Sequence, residues 1–343
     1  MLDADGDLAS KLLDYCRRAF GPGRNPRVCD LARIGDGWEC EVFSFVLEGE
    51  QDGEPRRESL ILRVYQGDDA SRKAAREFAA MRLLHDAGYP VPRLLALASE
   101  DSPLGKPFVI MEKIDGPVLG RVVEKSTGER QRGLLSTFSE LLVDLHALDW
   151  RLFAPDASRY RPEGFLDRWL LEAQTVVHRL RRSEFGPAVE WLKGRSGGIC
   201  CRPSPTHRDF HPWNVLMRPD GALFVIDWTQ ADVSDFRFDL GWTLMLMRTA
   251  MGMSTRDLVL REYERHAGCR VEQVEYFEVL ASLKRLVSIV VSISDGPEKL
   301  GMRPGAEAQM KAHVAHIATP YAVVREQTGL TISSVERLLS GLA

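Results

Sequence analysis

The sequence has no excess of either charge, no paired cysteine spacing and no apolar run long enough to span a bilayer. Each absence removes a class of function. Its 343 residues carry 45 Lys and Arg against 49 Asp and Glu, a formal net charge of -4. So balanced a chain offers no bulk field to draw nucleic acid or an anionic membrane surface, and neither is expected as a partner. The six cysteines, Cys16, Cys29, Cys40, Cys200, Cys201 and Cys269, contain no CxxC or CxxxxC spacing. That excludes a zinc ribbon or a disulfide framework and predicts reduced thiols. The longest apolar runs, such as LVSIVVSI at 286–293, fall far short of a membrane span. The first residues, MLDADGDLASKLL, are acidic where a secretory signal would be basic. The expectation is a soluble, cytoplasmic protein. Internal repeats and low-complexity segments are also missing.

What is present is an ordinary globular composition, 44% hydrophobic and 27% charged, in a chain too long for a single core. Hydrophobic periodicity divides it. LASKLLDYCRRAF places Leu8, Leu12, Leu13 and Cys16 on one helical face. Residues 29–49 read as a strand hairpin turning at Gly35-Asp36-Gly37, with Glu41, Phe43, Phe45 and Leu47 on one face of its second strand. SLILRVYQ is a third strand with Arg63 at its centre. Residues 71–87 form a helix with Phe78, Met81 and Leu84 inward and its charged residues outward. RLLALASE and PFVIMEKIDG are two further strands. Beyond Gly116 the pattern turns helical, strongly so at 134–150 and 164–182, and again over 251–343 with loops near 295–305 and 319–322. The expected organisation is an N-terminal helical extension (1–28), a small antiparallel sheet with one helix (29–114) and a larger, mainly helical part (115–343), an α+β chain.

The most informative stretch is THRDFHPWNVLMRPDGALFVIDWTQADVSDFRFDLGW, residues 206–242. Here polar and acidic side chains crowd against the apolar runs NVLM and ALFVID, although burying an unpartnered carboxylate is costly. A two-residue turn at Asp220-Gly221 would set Asn214 opposite Asp227, roughly 4.5–5.5 Å apart at Cα. A three-residue turn would shift the pair by one position and keep them neighbours. An amide oxygen beside a carboxylate suits Mg2+, which takes a few protein oxygens and completes its octahedron with water and phosphate. Asp209, on the loop feeding the hairpin, stands where a base would orient a hydroxyl. His-x-Asp-x-x-x-x-Asn followed by Asp is the set that kinases use for phosphoryl transfer.

With these residues the chain resembles the aminoglycoside phosphotransferase and choline kinase-like family, small-molecule kinases with the protein-kinase-like two-lobe fold, over roughly 29–290. HRDFHPWNVL and FVIDWTQADVSDFRFDLGW are similar to its catalytic loop and metal-binding segment, FVIMEKIDG to its lobe-connecting hinge, and LHALDW to the end of its first C-lobe helix. The resemblance implies Asp209 as catalytic base and Asn214 and Asp227 as Mg2+ ligands. His207 would be a structural member of the loop and Asp239 a buried acceptor bracing it, while Asp235 reads equally well as a loop cap. Gly35 and Gly37 would let backbone amides lie over nucleotide phosphates. A dinucleotide fingerprint is excluded, because Cys40 stands where its third glycine would and a strand follows instead of a helix. Arg63 occupies the place of the phosphate-pairing lysine, with Glu77 as its ionic partner. Met111, Glu112 and Ile114 match positions lining the adenine, Glu112 and Ile114 through backbone groups. Three residues depart from the family pattern: Arg63 for lysine, which exchanges a point charge for a planar fork, Arg208 for a small residue, and Trp213 for a glycine.

The implied function is transfer of the ATP γ-phosphoryl group, GTP being an open alternative, to a hydroxyl of a small molecule, with Mg2+ as cofactor, by a monomer or homodimer. A protein kinase is disfavoured: only a few residues separate Asp227 from Asp235 and Asp239, no Ala-Pro-Glu follows, and His211 stands where those enzymes carry a lysine. For the acceptor, residues 1–114 hold 16 basic and 20 acidic residues and the remainder 29 of each. A neutral second part argues mildly against a polycationic aminoglycoside. Trp228 and Trp242 could cage a choline-like cation but read first as core. The rival readings are a choline or amino-alcohol kinase and a catalytically silent nucleotide-binding module.

Overall fold

The computed structural model describes residues 2–20, 25–36, 40–51, 54–154, 162–179, 181–296 and 315–342. They divide into two compact units. The first comprises residues up to Gly116 together with Leu216–Gln230, and the second comprises Pro117–Val215 and the described residues from Ala231 onward.

In the first unit the strands β1 (Arg27–Asp36), β2 (Cys40–Gln51), β3 (Glu54–Tyr65), β4 (Leu94–Ala98) and β5 (Phe108–Glu112) form one antiparallel sheet in the order β1-β2-β3-β5-β4. Strand alternation decides what each face carries. Phe43, Phe45 and Leu47 of β2 and Leu60, Leu62 and Val64 of β3 form a core with Phe108 and Ile110 of β5. Leu12 and Cys16 of helix α1 (Leu2–Ala19) close it. Each such fully buried side chain contributes about 1.5–3 kcal/mol. Burial also holds the Cys16 thiol protonated, its pKa pushed up to about 12. Arg63, between Leu62 and Val64, therefore faces the other way, toward helix α2 (Ala70–Asp86). That helix buries Ala74, Met81 and Leu84 as its period predicts, but also Glu77, which is fully inaccessible, whereas Phe78 is only half-buried.

Two expectations for this unit need correction. Gly35 and Asp36 are not the tip of the first hairpin: they belong to β1, paired with Val42 and Glu41 after a register shift between Arg33 and Gly35. Gly37 lies outside the described residues. The second hairpin, β7 (Val215–Met217) with β8 (Leu223–Val225), turns through three residues, Pro219, Asp220 and Gly221. Arg218 N–H donates to the Ala222 carbonyl at 2.9 Å, Gly221 N–H donates to that of Arg218 at 2.9 Å, and Gly221 takes φ +89°. Proline at the first turn position and glycine in the left-handed region make this the three-residue solution. It moves the pairing by one position, and both Asn214 and Asp227 fall just beyond the ends of the two strands.

The second unit is mainly helical. It contains α3 (Leu119–Glu124), α4 (Gly128–Ala147), α5 (Pro162–Arg179), α6 (Gly186–Ser196), α7 (Phe236–Met251), α8 (Met253–Ala267), α9 (Val274–Asp295), α10 (Ala315–Thr328) and α11 (Ser333–Leu342). The expected loop at 319–322 is instead inside α10, which accepts Pro320 in its second turn at the loss of one backbone hydrogen bond. Helix α9 ends at Asp295, and most of the other expected loop, near 295–305, lies outside the described residues. Helix α7 packs closely on α9 because Gly241 has no Cβ; one built there would stand 2.7 Å from the Phe277 carbonyl carbon. Two short strands, β6 (Pro203–Thr206) and β9 (Asp232–Asp235), pair antiparallel. The loop starting at His207 leaves one of them and α7 follows the other, which brings the first turn of α7 to that loop. No helix among the described residues is long and apolar enough to cross a membrane.

Candidate active site

In the second unit, Asp239 in the first turn of α7 is fully buried. Its carboxylate accepts the backbone N–H of His207 at 2.5 Å and that of Arg208. His146 Nε2 lies 3.5 Å from the same carboxylate, and its Nδ1 is 2.8 Å from the Tyr263 hydroxyl. Two backbone donors on one buried acceptor fix the start of the loop. Arg208 can then adopt φ +68°, a conformation that is strained for a side chain of this size. Its guanidinium lies 4.1 Å over the Trp169 ring and 3.7 Å from Asp232. The large residue at this position is therefore held against an aromatic face.

The carboxylate at the end of this turn is Asp209. Trp242 Nε1 donates to its Oδ1 at 2.8 Å, His211 Nε2 lies 3.5 Å from the same oxygen, and its own N–H donates to His207 Nδ1 at 3.3 Å. Burial acts to protonate it. The nearby His211 and His207 and the indole donor outweigh that and hold it well below the usual carboxylate range. Asp209 is thus an ionised acceptor. Asn214 ends a single 3-10 turn, Pro212–Asn214, and its Nδ2 donates to the Asp209 carbonyl at 3.0 Å. That hydrogen bond orients the amide. Trp213 reaches its place because Gly120 of α3 lies under it: a Cβ on Gly120 would stand 2.7 Å from the indole. The tryptophan that departs from the family pattern is matched by a glycine elsewhere in the chain.

In the first unit the charged centre is Arg63. Its Nε lies 3.2 Å from Glu77 Oε2 and its Nη2 donates to Asp227 Oδ1 at 2.8 Å. Burial opposes the guanidinium charge, but Cys40 and the Glu77 and Asp227 carboxylates outweigh it and hold the charge firmly in place. Glu77 also accepts from the Tyr65 hydroxyl and, at 3.1 Å, from the Trp228 backbone N–H. Asp227 sits at φ +68° and takes a second donor, Thr229 Oγ1, at 3.2 Å on Oδ1. Both donors fall on Oδ1, and the side chain keeps 39% exposure. Met111 and Ile114 are buried at the end of β5 and just past it. The N–H of Glu112 is taken by the Arg93 carbonyl at 2.8 Å. Gly35 stands in β1 of the same unit.

The sequence reading missed several participants: Trp242 and His211 beside Asp209, Tyr65 and Thr229 in the Arg63 centre, and His146 near Asp239. His146 left a signal within LHALDW, and His211 one by standing where protein kinases carry a lysine. Trp242 read as core because an indole ring buries well whatever its N–H does. Asp235, held open between roles, caps α7 by accepting the Arg237 N–H at 2.9 Å and pairs with the Arg237 guanidinium at 2.8 Å.

The donors fit a hard cation in kind. The Asn214 amide oxygen and Asp227 Oδ2 are the oxygens that Mg2+ prefers. Among the described residues no three His, Cys, Asp or Glu side chains form a metal cluster.

Comparison with known proteins follows the same lines. Residues 30–274 match the sequence profile of the phosphotransferase enzyme family. Among curated relatives, mouse acyl-CoA dehydrogenase family member 10 is 26% identical over 182 residues, which is 50% of this chain and 16% of that protein. The chain therefore spans less than a fifth of the length of that relative. Among solved structures, a Ralstonia eutropha protein named after the aminoglycoside phosphotransferases superposes with a TM-score of 0.67 at 15% identity, covering 92% of this chain and 98% of that one. The aminoglycoside phosphotransferase APH(4)-Ia, in ternary complex with AMP-PNP and hygromycin B, gives a TM-score of 0.57 at 19% identity, covering 93% and 100%. At such identities these structures establish the fold.

Proposed function

From the premise that this chain belongs to the phosphotransferase enzyme family, we propose that it transfers the γ-phosphoryl group of ATP to a hydroxyl of a small molecule. The observation that carries this reading is Asp209: an ionised carboxylate, held by an indole donor, on a loop whose start is fixed by a buried second carboxylate. Such a group accepts a hydrogen bond from an alcohol and takes its proton as the alcohol oxygen bonds to phosphorus. The bond from the γ-phosphorus to the bridging oxygen breaks, and ADP leaves with that electron pair.

The other residues have supporting roles. Arg63 holds nucleotide phosphate and is itself oriented by Glu77. The segment around Met111, Glu112 and Ile114 receives the base. Asp227 and Asn214 each present an oxygen suited to Mg2+, whose contribution when bound is to offset phosphate charge. Positioning and electrostatics supply most of the rate in this chemistry. Soluble, cytoplasmic action as a monomer or homodimer belongs to the same reading.

A choline-type acceptor has less support, because neither tryptophan offers an open face. Trp228 is fully buried, with Nε1 donating to the Val225 carbonyl at 3.0 Å, and Trp242 serves Asp209 and already carries the Lys284 ammonium 5.1 Å from its ring centroid. The mouse relative's name refers to dehydrogenase chemistry, but so small a share of that protein is matched that no such activity is carried over.

The test is ADP release from Mg-ATP across a panel of hydroxyl compounds. The reading expects acceptor-dependent release that is lost in Asp209→Ala while ATP still binds. Thermal stabilisation by Mg-ATP with no release against any acceptor would replace it with a silent binding module.

A further inference from the structure

Arg208 stands immediately before Asp209 and takes φ +68°, in the left-handed region that suits a residue without a Cβ. A long side chain there needs a hold, because any relaxation of its backbone turns the next residue, which is the carboxylate. Trp169 of α5 supplies that hold. The Arg208 guanidinium lies 4.1 Å over its ring. The ring is itself fixed: Phe238 of α7 stacks on it, with centroids 4.4 Å apart and planes at 24°. Its Nε1 donates to the buried Ser234 hydroxyl of β9 at 2.9 Å. A ring tied to both α7 and β9 cannot follow the arginine, so the arginine conforms to it.

The residue before Trp169 strengthens the attachment. Arg168 Nη2 donates to the Val233 carbonyl at 3.0 Å and to Asp232 Oδ2 at 3.2 Å. Consecutive residues of α5 thus reach Asp232, Val233 and Ser234 in turn. That strand pairs with β6, Asp232 opposite Thr206, and the loop leaves from Thr206. The same Asp232 oxygen lies 3.7 Å from Arg208 Nη1. A tryptophan serving only as core needs apolar neighbours and nothing more. This one has its rotation set by a hydrogen bond and presents its face to a planar cation, the contact that arginine makes best.

We propose that Trp169 is a positioning residue for phosphoryl transfer, pinning Arg208 in the left-handed conformation and so aiming Asp209 at the acceptor hydroxyl. This rests on the phosphotransferase reading and adds to it a residue that acts through Arg208 rather than on the reacting atoms. One consequence is specific. A glycine at 208 takes φ +68° without strain, and a chain carrying it no longer needs the tryptophan.

The experiment compares four versions of the full chain: parent, Trp169→Leu, Arg208→Gly and the double variant. Each is assayed by ADP release from Mg-ATP with kanamycin, choline, glucose and glycerate, the fastest acceptor of the parent serving for all, and each is melted. Trp169→Leu should lower kcat about ten- to a hundredfold, the scale of a catalytic group misplaced by about an ångström. KM for ATP should stay, since Arg63 belongs to the first unit. Trp169→Phe, which keeps a ring for the guanidinium, should recover most of the loss. In the Arg208→Gly background Trp169→Leu should cost less than about twofold, the margin within which independent sites add. Ser234→Ala, gentler on folding, gives a second reading: kcat falls about two- to tenfold in the parent, the worth of one hydrogen bond, and holds in the Arg208→Gly chain. Equal losses of kcat in the two backgrounds overturn the proposal and leave the phosphotransferase reading intact. So does a lowered thermal midpoint with kcat at the parent value, the signature of a merely structural tryptophan. No acceptor-dependent release by the parent with any of the four compounds overturns both.

Discussion

In the first unit a cation is surrounded by anions: Arg63 is nearly inaccessible, Glu77 is fully so, and Asp227 closes the group. In the second an anion is surrounded by an indole, an imidazole and an amide, and the Asp209 side chain keeps 32% exposure. In the first centre Arg63 and Glu77 depend on one another in a dry setting, with the 39% exposed Asp227 at its edge. The second is one charge stabilised mostly by groups that remain comfortable without it. The same substitution logic should therefore read out differently in the two. Removing a member of the first leaves a buried charge unpaired, whereas removing the carboxylate of the second leaves donors that water can serve.

The largest effect expected is on rate. Asp209→Ala should lower phosphoryl transfer about a hundred- to ten-thousandfold, the usual range for a proton acceptor, with a thermal midpoint near that of the parent. Steady-state ADP release and a melting curve check both halves. A midpoint that fell sharply would erase the contrast. Arg63→Met is expected to reverse the pattern. It strands the fully buried Glu77, and breaking a buried pair in this way costs about 3–5 kcal/mol, visible in urea unfolding before any assay. Arg63→Lys should recover part of that loss, since an ammonium keeps the charge but cannot span both carboxylates with a planar fork. Asp239→Asn comes next. It turns one of two acceptor oxygens into a donor facing a backbone N–H, for about 1–3 kcal/mol of stability. Because the affected loop carries Asp209, activity should fall further than the folded fraction does.

Much of this was legible in the sequence, for identifiable reasons. The sheet strands announced themselves by alternation, and Arg63 by standing between Leu62 and Val64, where a charge has no business unless partnered. Asp209, Asn214 and Asp227 were legible as an ordered set, though each alone is an ordinary turn residue. The details that failed were those set by tertiary context. A two-residue turn was expected at Asp220-Gly221 because that pair favours it, but Pro219 fits the first position of a longer turn. The loop expected around Pro320 is a helix, since packing overrides one lost hydrogen bond. The gathering of Lys284 and Arg208 on Trp169 joins residues far apart in the chain, and no local pattern could announce it.

The smallest effect expected is also the most discriminating. Trp242→Phe keeps an aromatic ring in this part of the core but removes the pyrrole half of the indole, and with it the N–H that reaches Asp209. If Asp209 is held chiefly by that donor, its carboxylate will sample more orientations, and kcat should fall about tenfold, near 1.4 kcal/mol. His211 and Asn214 still border the carboxylate, which keeps the loss well short of that in Asp209→Ala. KM for ATP should hardly move, because Arg63 and its partners lie in the first unit. A kcat that stayed at the parent value would mean that His211 and Asn214 hold the carboxylate without the indole.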